Sequence, residues 1–341
     1  MIHSQVFKQL NRFVAAAASV LMICGLSGCG TPHMQTASDI VMDTIFTVTV
    51  YGDDVSPSEL LDAGRELDEN VLSRYAEGSL LNGYIKGREE GLTYELSGRV
   101  IDLGDYIKRC DEISDSSGGA FNVHIGALCD LWNIEGAVKE ESEFKVPTQT
   151  QIEEGVADTR ITDLGSVGKG IYLDLVKDML DEKGVRGAVI SAGGSVLVYG
   201  EKNDGSKFKV GIKGPFDESS ADPYAVIELS GGYFVSTSGS YERYIDLDGV
   251  RYHHIIDPVT GYPAWAGETG IYPVSATIIA CEGFISDALS TACFVMGPDK
   301  GIGYAESFGA EIIYIMNDGT YLTSDGIMTK DEGRTVFSLK V

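Results

Sequence analysis

The dipeptide Asp248–Gly249 constrains the fold of this chain more than any other local feature. It divides Tyr241–Pro263 (YERYIDLDGVRYHHIIDPVTGYP) into two runs of alternating apolar and polar residues. Asp-Gly readily supplies the two positive φ values of a tight hairpin turn, so the stretch reads as a β-hairpin. Its outgoing strand carries His253 and His254 and leads into Asp257–Pro258 and Thr260–Gly261. Imidazole, carboxylate and hydroxyl groups therefore crowd one short element.

At the other end, Lys8 and Arg12 precede an apolar run from Phe13 to Leu26 that finishes in Leu26–Ser27–Gly28–Cys29. The run is short for a bilayer span, and small residues ahead of a cysteine are what a lipoprotein signal peptidase needs to reach its bond. The expected organisation is a signal peptide over 1–28, a lipid on Cys29, a flexible tether over 29–37 and a domain over 38–341. The domain would sit outside the cytoplasm, anchored to a bacterial cell membrane. The formal net charge is −25, and loss of Lys8 and Arg12 with the leader makes it more negative. Such a surface repels nucleic acid and offers no basic patch to anionic lipid, whereas a divalent cation complements it. Cys110, Cys129, Cys281 and Cys293 have neither zinc-site nor disulfide-framework spacing and read as buried free thiols.

Between these ends, Ile40–Tyr51 is strand-like, Ser58–Val71 helical, Ser73–Gly83 turn-rich, and Ile101–Ser114 helical again. Strands and helices alternate through Val198, and the rest is hairpin-rich, closing in Ile312–Thr323 around Asp318–Gly319. With no repeat or low-complexity linker, the expected class is α+β: a single domain of two interlocked mixed lobes with a ligand site between them.

Three glycine-bearing stretches point to that ligand. In Ser117–Trp132 (SGGAFNVHIGALCDLW) paired glycines permit close backbone approach, and Gly126–Trp132 is suited to walling a flat ring. Thr162–Gly170 (TDLGSVGKG) leads into a helix with apolar Ile171, Leu175 and Leu180; Lys169 stands at its mouth. This loop serves equally as an anion cradle or as a plain helix start, and it is neither a Walker A loop nor a dinucleotide fingerprint. Asp163 conflicts with a bound phosphate unless a cation lies between them. The third stretch, Ala188–Tyr199, is a strand, a Gly-Gly break and a second strand. Finally, Ser286–Met296 reads as a helix N-capped by Ser286, with Asp287 and Thr291 four apart on one face. A carboxylate and a hydroxyl are oxygen ligands of the kind Mg²⁺ takes.

Taken in order, Met42–Thr44, Ser73–Tyr75, SGGAFNVHIGALCDLW, TDLGSVGKG, SAGGS, TSGSYERY at Thr237–Tyr244, HIIDPVTGYP at His254–Pro263 and SDALSTA at Ser286–Ala292 resemble the motifs of the ApbE family of flavin transferases. The resemblance runs from Met42 to about Gly326. It implies FAD bound by Met42, Tyr75, Ala120, Phe121, Asn122, Asp163, Lys169 and Ile255. It further implies Mg²⁺ held by Asp287 and Thr291 with carbonyl oxygens near Ser166 and Ser290, and His254 as proton acceptor with Asp163 as second candidate. The implied reaction moves FMN from FAD to a threonine or serine hydroxyl and releases AMP. Water in place of the hydroxyl would make the site an FAD pyrophosphatase, and binding without chemistry would make it a flavin-binding lipoprotein. The chain has no acceptor motif of the family's kind, so the expected acceptor is a separate exported protein, such as an Rnf- or Nqr-like subunit or an extracytoplasmic flavoprotein. Four positions depart from the pattern: Asp43 where glycine is frequent, Asn122 and Ser195 where aspartate is frequent, and a longer Ala264–Pro273 connection.

Overall fold

The computed structural model describes residues 33–216, 222–331 and 333–340. The expected signal peptide and Cys29 lie outside the described residues.

The chain opens with a hairpin of β1 (Met34–Val41) and β2 (Thr44–Tyr51). This corrects the expectation of one strand over Ile40–Tyr51: Met42 and Asp43 take φ of 50° and 56° and reverse the chain. It also brings Met34–Ala37, expected in the tether, into the sheet. Helix α1 (Pro57–Leu67) starts with proline in its first turn and passes into a π turn over Asp68–Leu72. Helix α2 (Leu80–Ile85), capped by the Ser79 hydroxyl, occupies part of the stretch read as turns. Ile101, expected in a helix, belongs to the small hairpin of β3 (Thr93–Leu96) and β4 (Arg99–Asp102); Asp102 then caps α3 (Leu103–Ser116). Four helices follow: α4 (Gly126–Trp132), α5 (Ile134–Val138), α6 (Gln149–Ala157) and α7 (Gly168–Glu182).

Next come β5 (Gly187–Ala192) and β6 (Ser195–Gly200), which flank the Gly-Gly break as read from sequence. Strands β7 (Phe208–Ile212), β8 (Ala225–Leu229) and β9 (Tyr233–Gly239) lead to the central hairpin of β10 (Tyr244–Leu247) and β11 (Val250–His253). After β12 (Pro273–Ala280), helices α8 (Gly283–Met296) and α9 (Pro298–Ser307) precede β13 (Glu311–Met316), β14 (Tyr321–Thr323), β15 (Ile327–Asp331) and β16 (Thr335–Leu339).

Eight strands form one antiparallel sheet in the order β1-β2-β5-β6-β9-β12-β13-β14, and four form a second in the order β15-β16-β8-β7. Helices cover one face of the large sheet and the small sheet covers the other. Strand β13 shows why its sequence is apolar after Glu311: Ile312, Tyr314 and Met316 pack toward α8 and α9, while Ile313 and Ile315 pack toward the small sheet. The result is the expected mixed α+β domain. One lobe centres on β1, β2, β5 and β6 with α1, α3 and α7. The other centres on β9, β12 and β13 with α8 and α9. Among the described residues no helix is long and apolar enough to cross a membrane.

Candidate active site

The lobes meet where α7 and α8 touch. Both helices carry a glycine at the contact: a Cβ on Gly170 would lie 2.3 Å from the Gly283 carbonyl oxygen, and one on Gly283 would lie 2.4 Å from the Gly170 oxygen. This close approach brings the first turn of α7 onto Asp287. The Gly170 N–H donates to Asp287 Oδ2 over 2.9 Å, the Ser195 hydroxyl donates to Oδ1 over 3.0 Å, and Lys169 Nζ stands 3.7 Å from Oδ2. The Asp287 side chain is only 6% exposed. A buried carboxylate must be paired or hydrogen-bonded, and here one cation and two neutral donors fulfil that need.

Helix α8 begins at Gly283, three residues earlier than the expected Ser286 cap, and its N-cap residue Glu282 makes no side-chain capping bond. The cap comes from α7: Asp174 accepts the Gly283 and Phe284 N–H groups, each over 2.7 Å. Burial pushes the Asp174 carboxyl up to about 6, against the pull of those two donors. Ser286 instead donates to the Gly283 carbonyl and shares a hydrogen bond with Ser236. One turn past Asp287, the hydroxyls of Ser290 and Thr291 converge on Ser238 of β9, at 2.8 and 3.2 Å.

Ahead of α7, the Asp163 N–H donates to the Val123 carbonyl, and Oδ1 accepts the Gly165 N–H over 2.8 Å. Half-buried Ser166 lies in the following turn, and Lys169 Nζ donates to the Gly165 carbonyl over 3.3 Å. Asp163 Oδ2 pairs with Arg74 Nε at 3.0 Å. Sequence reasoning missed Arg74. Its guanidinium also grips both oxygens of Asp130 at 2.7 and 3.1 Å, and it lies 4.5 Å over the Tyr75 ring. One half-buried arginine thus joins three of the glycine- and aromatic-bearing motifs. The only sequence signal was its place inside Ser73–Tyr75.

The histidine pair separates into two environments. The Asp248–Gly249 turn forms as read, with φ of 52° and 81°. Strand β11 ends at His253, so His254 lies just beyond it. His253 is buried: Nε2 donates to the Ala264 carbonyl over 2.7 Å, Nδ1 accepts the Ile255 N–H, and the ring meets Phe294 edge-on. Burial pushes its pKa down to about 4. His254 turns Nδ1 toward the Arg243 carbonyl at 3.3 Å, an arrangement that puts the proton on Nδ1 and leaves a lone pair on Nε2. Burial first, then the Arg243 charge and lesser contributions including that of Lys169, hold its pKa well below the ordinary value.

Among the remaining candidates, Met42 stands at the β1–β2 turn beside the start of α7: a Cβ on Gly168 would lie 3.7 Å from its sulfur. Ala120 is partly covered, and Ile255 packs beneath α8 and α9. The Phe121 ring is core, and Asn122 Oδ1 accepts the His124 N–H over 2.7 Å. Tyr75 is 74% exposed. Trp132, expected to wall a flat ring, is buried among Phe144, Tyr252 and Tyr262; its Nε1 donates to the Gly261 carbonyl over 2.7 Å and fastens the Asp257–Gly261 loop. Cys110, Cys129, Cys281 and Cys293 are free; Cys110 and Cys293 are buried as expected, whereas Cys129 is partly covered and Cys281 is exposed.

The described residues contain no group of three or more His, Cys, Asp or Glu side chains able to hold a metal ion. A site built on Asp287 therefore needs hydroxyl, carbonyl, water and ligand oxygens. That donor set suits Mg²⁺ and does not suit zinc.

A model of the ApbE family matches residues 42–315, a span that contains every one of these groups. The chain belongs to the ApbE family. It is similar to the FAD:protein FMN transferase of Treponema pallidum (strain Nichols), 29% identical over 351 residues, covering 91% of this chain and 93% of that protein. The FAD:protein FMN transferase of Escherichia coli (strain K12) is 27% identical over 338 residues, covering 90% and 92%. The crystal structure of the ApbE protein from Thermotoga maritima aligns with a TM-score of 0.71 and 28% identity over 86% of this chain and 97% of that one. This ApbE-family chain is an enzyme of the transferase class.

Proposed function

We propose that this ApbE-family domain transfers FMN from FAD to a threonine or serine hydroxyl of a separate exported protein, with Mg²⁺ as cofactor and AMP as the second product. The observation that carries the reading is the Asp287 carboxylate, pinned beneath the first turn of α7 beside Lys169, with the Thr291 hydroxyl one turn further on the same helix. We further propose that the domain works outside the cytoplasm, anchored by lipidated Cys29.

Asp287 and Thr291 would hold the cation, with carbonyl oxygens near Ser166 and Ser290. When bound, Mg²⁺ would neutralise charge on the pyrophosphate and so offset its repulsion by Asp163 and Asp287. Lys169 adds a positive charge beside the same phosphates. Met42, Tyr75, the Ala120–Asn122 backbone, Asp163 and Ile255 line the flavin nucleotide's path, and Arg74 holds Asp163 in place. His254 accepts the proton of the incoming hydroxyl on Nε2, while Nδ1 stays bound to the Arg243 carbonyl. The hydroxyl oxygen bonds to the FMN-side phosphorus, the bond to the bridging oxygen breaks, and AMP leaves with that oxygen.

The test incubates the chain from Thr31 onward with FAD, Mg²⁺ and a tagged acceptor domain, then weighs the acceptor by intact-mass spectrometry. A gain equal to FMN, lost with EDTA and with Asp287→Ala, is the expected result. AMP and free FMN beside unmodified acceptors would assign a pyrophosphatase instead. FAD bound and unchanged would leave a carrier.

A further inference from the structure

We infer that Ser195 is a positioning residue of the cation site, and that its hydroxyl sets both the orientation of Asp287 and the number of negative charges the site offers. The inference rests on the cation reading above and goes beyond it to a residue on another element.

Ser195 is 1% exposed and opens β6 immediately after the Gly193–Gly194 turn. Its place is tightly held. In the sheet register it stands opposite Ala192 on β5 and Ser236 on β9. Behind it, a Cβ on Gly194 would lie 2.9 Å from the Thr237 carbonyl oxygen. A hydroxyl on so constrained a backbone has few alternative positions, and it reaches Asp287 Oδ1 at 3.0 Å.

The opposite oxygen, Oδ2, is held by the Gly170 N–H at 2.9 Å. Two neutral donors from two different elements thus grip the two ends of one carboxylate. Their combined effect is to fix its plane, which a single donor would leave free to swing about its Cβ–Cγ bond. Each oxygen keeps a further lone pair, so the grip orients the carboxylate without exhausting it. Donors of this kind around a metal-binding carboxylate typically change metal affinity by about 10- to 100-fold when removed.

Ser195 also fixes charge. A serine here leaves Asp287 as the carboxylate gripped beneath α7, facing Lys169 at 3.7 Å. An aspartate at 195 would place a second anion where the Oδ1 donor now stands. The two carboxylates would repel each other without a cation and clamp one when it arrives.

The experiment titrates Mn²⁺ alone, in the absence of flavin, into the chain from Thr31 onward, which retains every described element. Mn²⁺ affinity is read by electron paramagnetic resonance and the metal-induced rise in Tm by calorimetry. Ser195→Ala should bind Mn²⁺ about tenfold more weakly and show a smaller rise in Tm. Ser195→Thr, which keeps the hydroxyl, should restore both. Ser195→Asp should melt lower than wild type without metal yet show the larger metal-induced rise. A purely structural role for Ser195 would lower Tm and leave Mn²⁺ affinity unchanged. Wild-type affinity in Ser195→Ala, beside a wild-type site that Asp287→Ala abolishes, would overturn this inference alone. Absence of any Asp287-dependent Mn²⁺ site in the wild type would overturn the cation reading and this inference together.

Discussion

The backbone N–H of Gly170 donates to the carboxylate of Asp287 across 117 positions of sequence, at 2.9 Å. That bond exists because α7 and α8 meet at two glycines, with no side chain between the backbones. A Cβ on Gly170 would fall 2.3 Å from the Gly283 carbonyl oxygen and 2.8 Å from Asp287 Cβ. Gly170→Ala should therefore force the helices apart, costing about 2 kcal/mol or more in urea unfolding and most of the transfer activity. Unchanged stability would mean the contact is looser than described.

Arg74 should matter to FAD binding more than to turnover. It holds Asp163 with one edge of its guanidinium and Asp130 with another, a fork that lysine does not reproduce. Arg74→Lys and Arg74→Gln should both weaken FAD binding about tenfold, measured by flavin fluorescence quenching, while transfer at saturating FAD falls less. Equal loss of turnover with unchanged affinity would move Arg74 from binding to chemistry.

The two histidines should fail in different ways. His254→Asn is expected to lower the transfer rate about 100-fold with little change in Tm, the scale of a lost proton acceptor. His253→Asn breaks a buried hydrogen bond to Ala264, so melting temperature is where its effect should appear. If His253→Asn proved the kinetically dead variant with normal melting, the assignment would be reversed.

Stability should also depend on pH through His253. Its folded pKa of about 4 lies below the ordinary histidine value, so between the two the unfolded chain takes up a proton that the folded chain refuses. The stability from neutral His253 is complete above about pH 6.5 and is lost as pH falls toward 4, up to roughly 3 kcal/mol. Asp174 works in the opposite direction. With its pKa raised to about 6, the folded state takes up the proton first, and the penalty of burying its charge is relieved as pH falls through the same window. Wild type should still lose stability in acid, because His254, also held well below the ordinary value by burial, adds its loss to that of His253 and Asp174 offsets only part of the two. The stability difference between wild type and His253→Gln should shrink steadily from pH 7.5 to pH 4 in urea titrations. A difference constant with pH would show that His253 titrates normally.

Sequence alone determined the features that adjacent residues impose on the backbone. Asp248–Gly249 turns its hairpin because aspartate and glycine tolerate positive φ, Asp318–Gly319 turns with Gly319 alone at positive φ, and the apolar Ile171, Leu175 and Leu180 are all buried in α7. The order of short motifs was likewise readable and led to the correct family. Local sequence misled where local preference was overruled. The apolar run through Met42 hid a turn, because Met42 gives no sign of positive φ and no glycine follows Asp43, and Ser286 looked like a cap although Asp174, 109 residues before Gly283, supplies it. Only the tertiary structure joined Arg74 to Asp163, Ser195 to Asp287 and Lys169 to Asp287, and separated His253 from His254. Those relationships depend on which backbones approach closely enough to exclude water, and that is settled by the packing of α7 against α8 and of both against the sheet, not by any stretch of neighbouring residues.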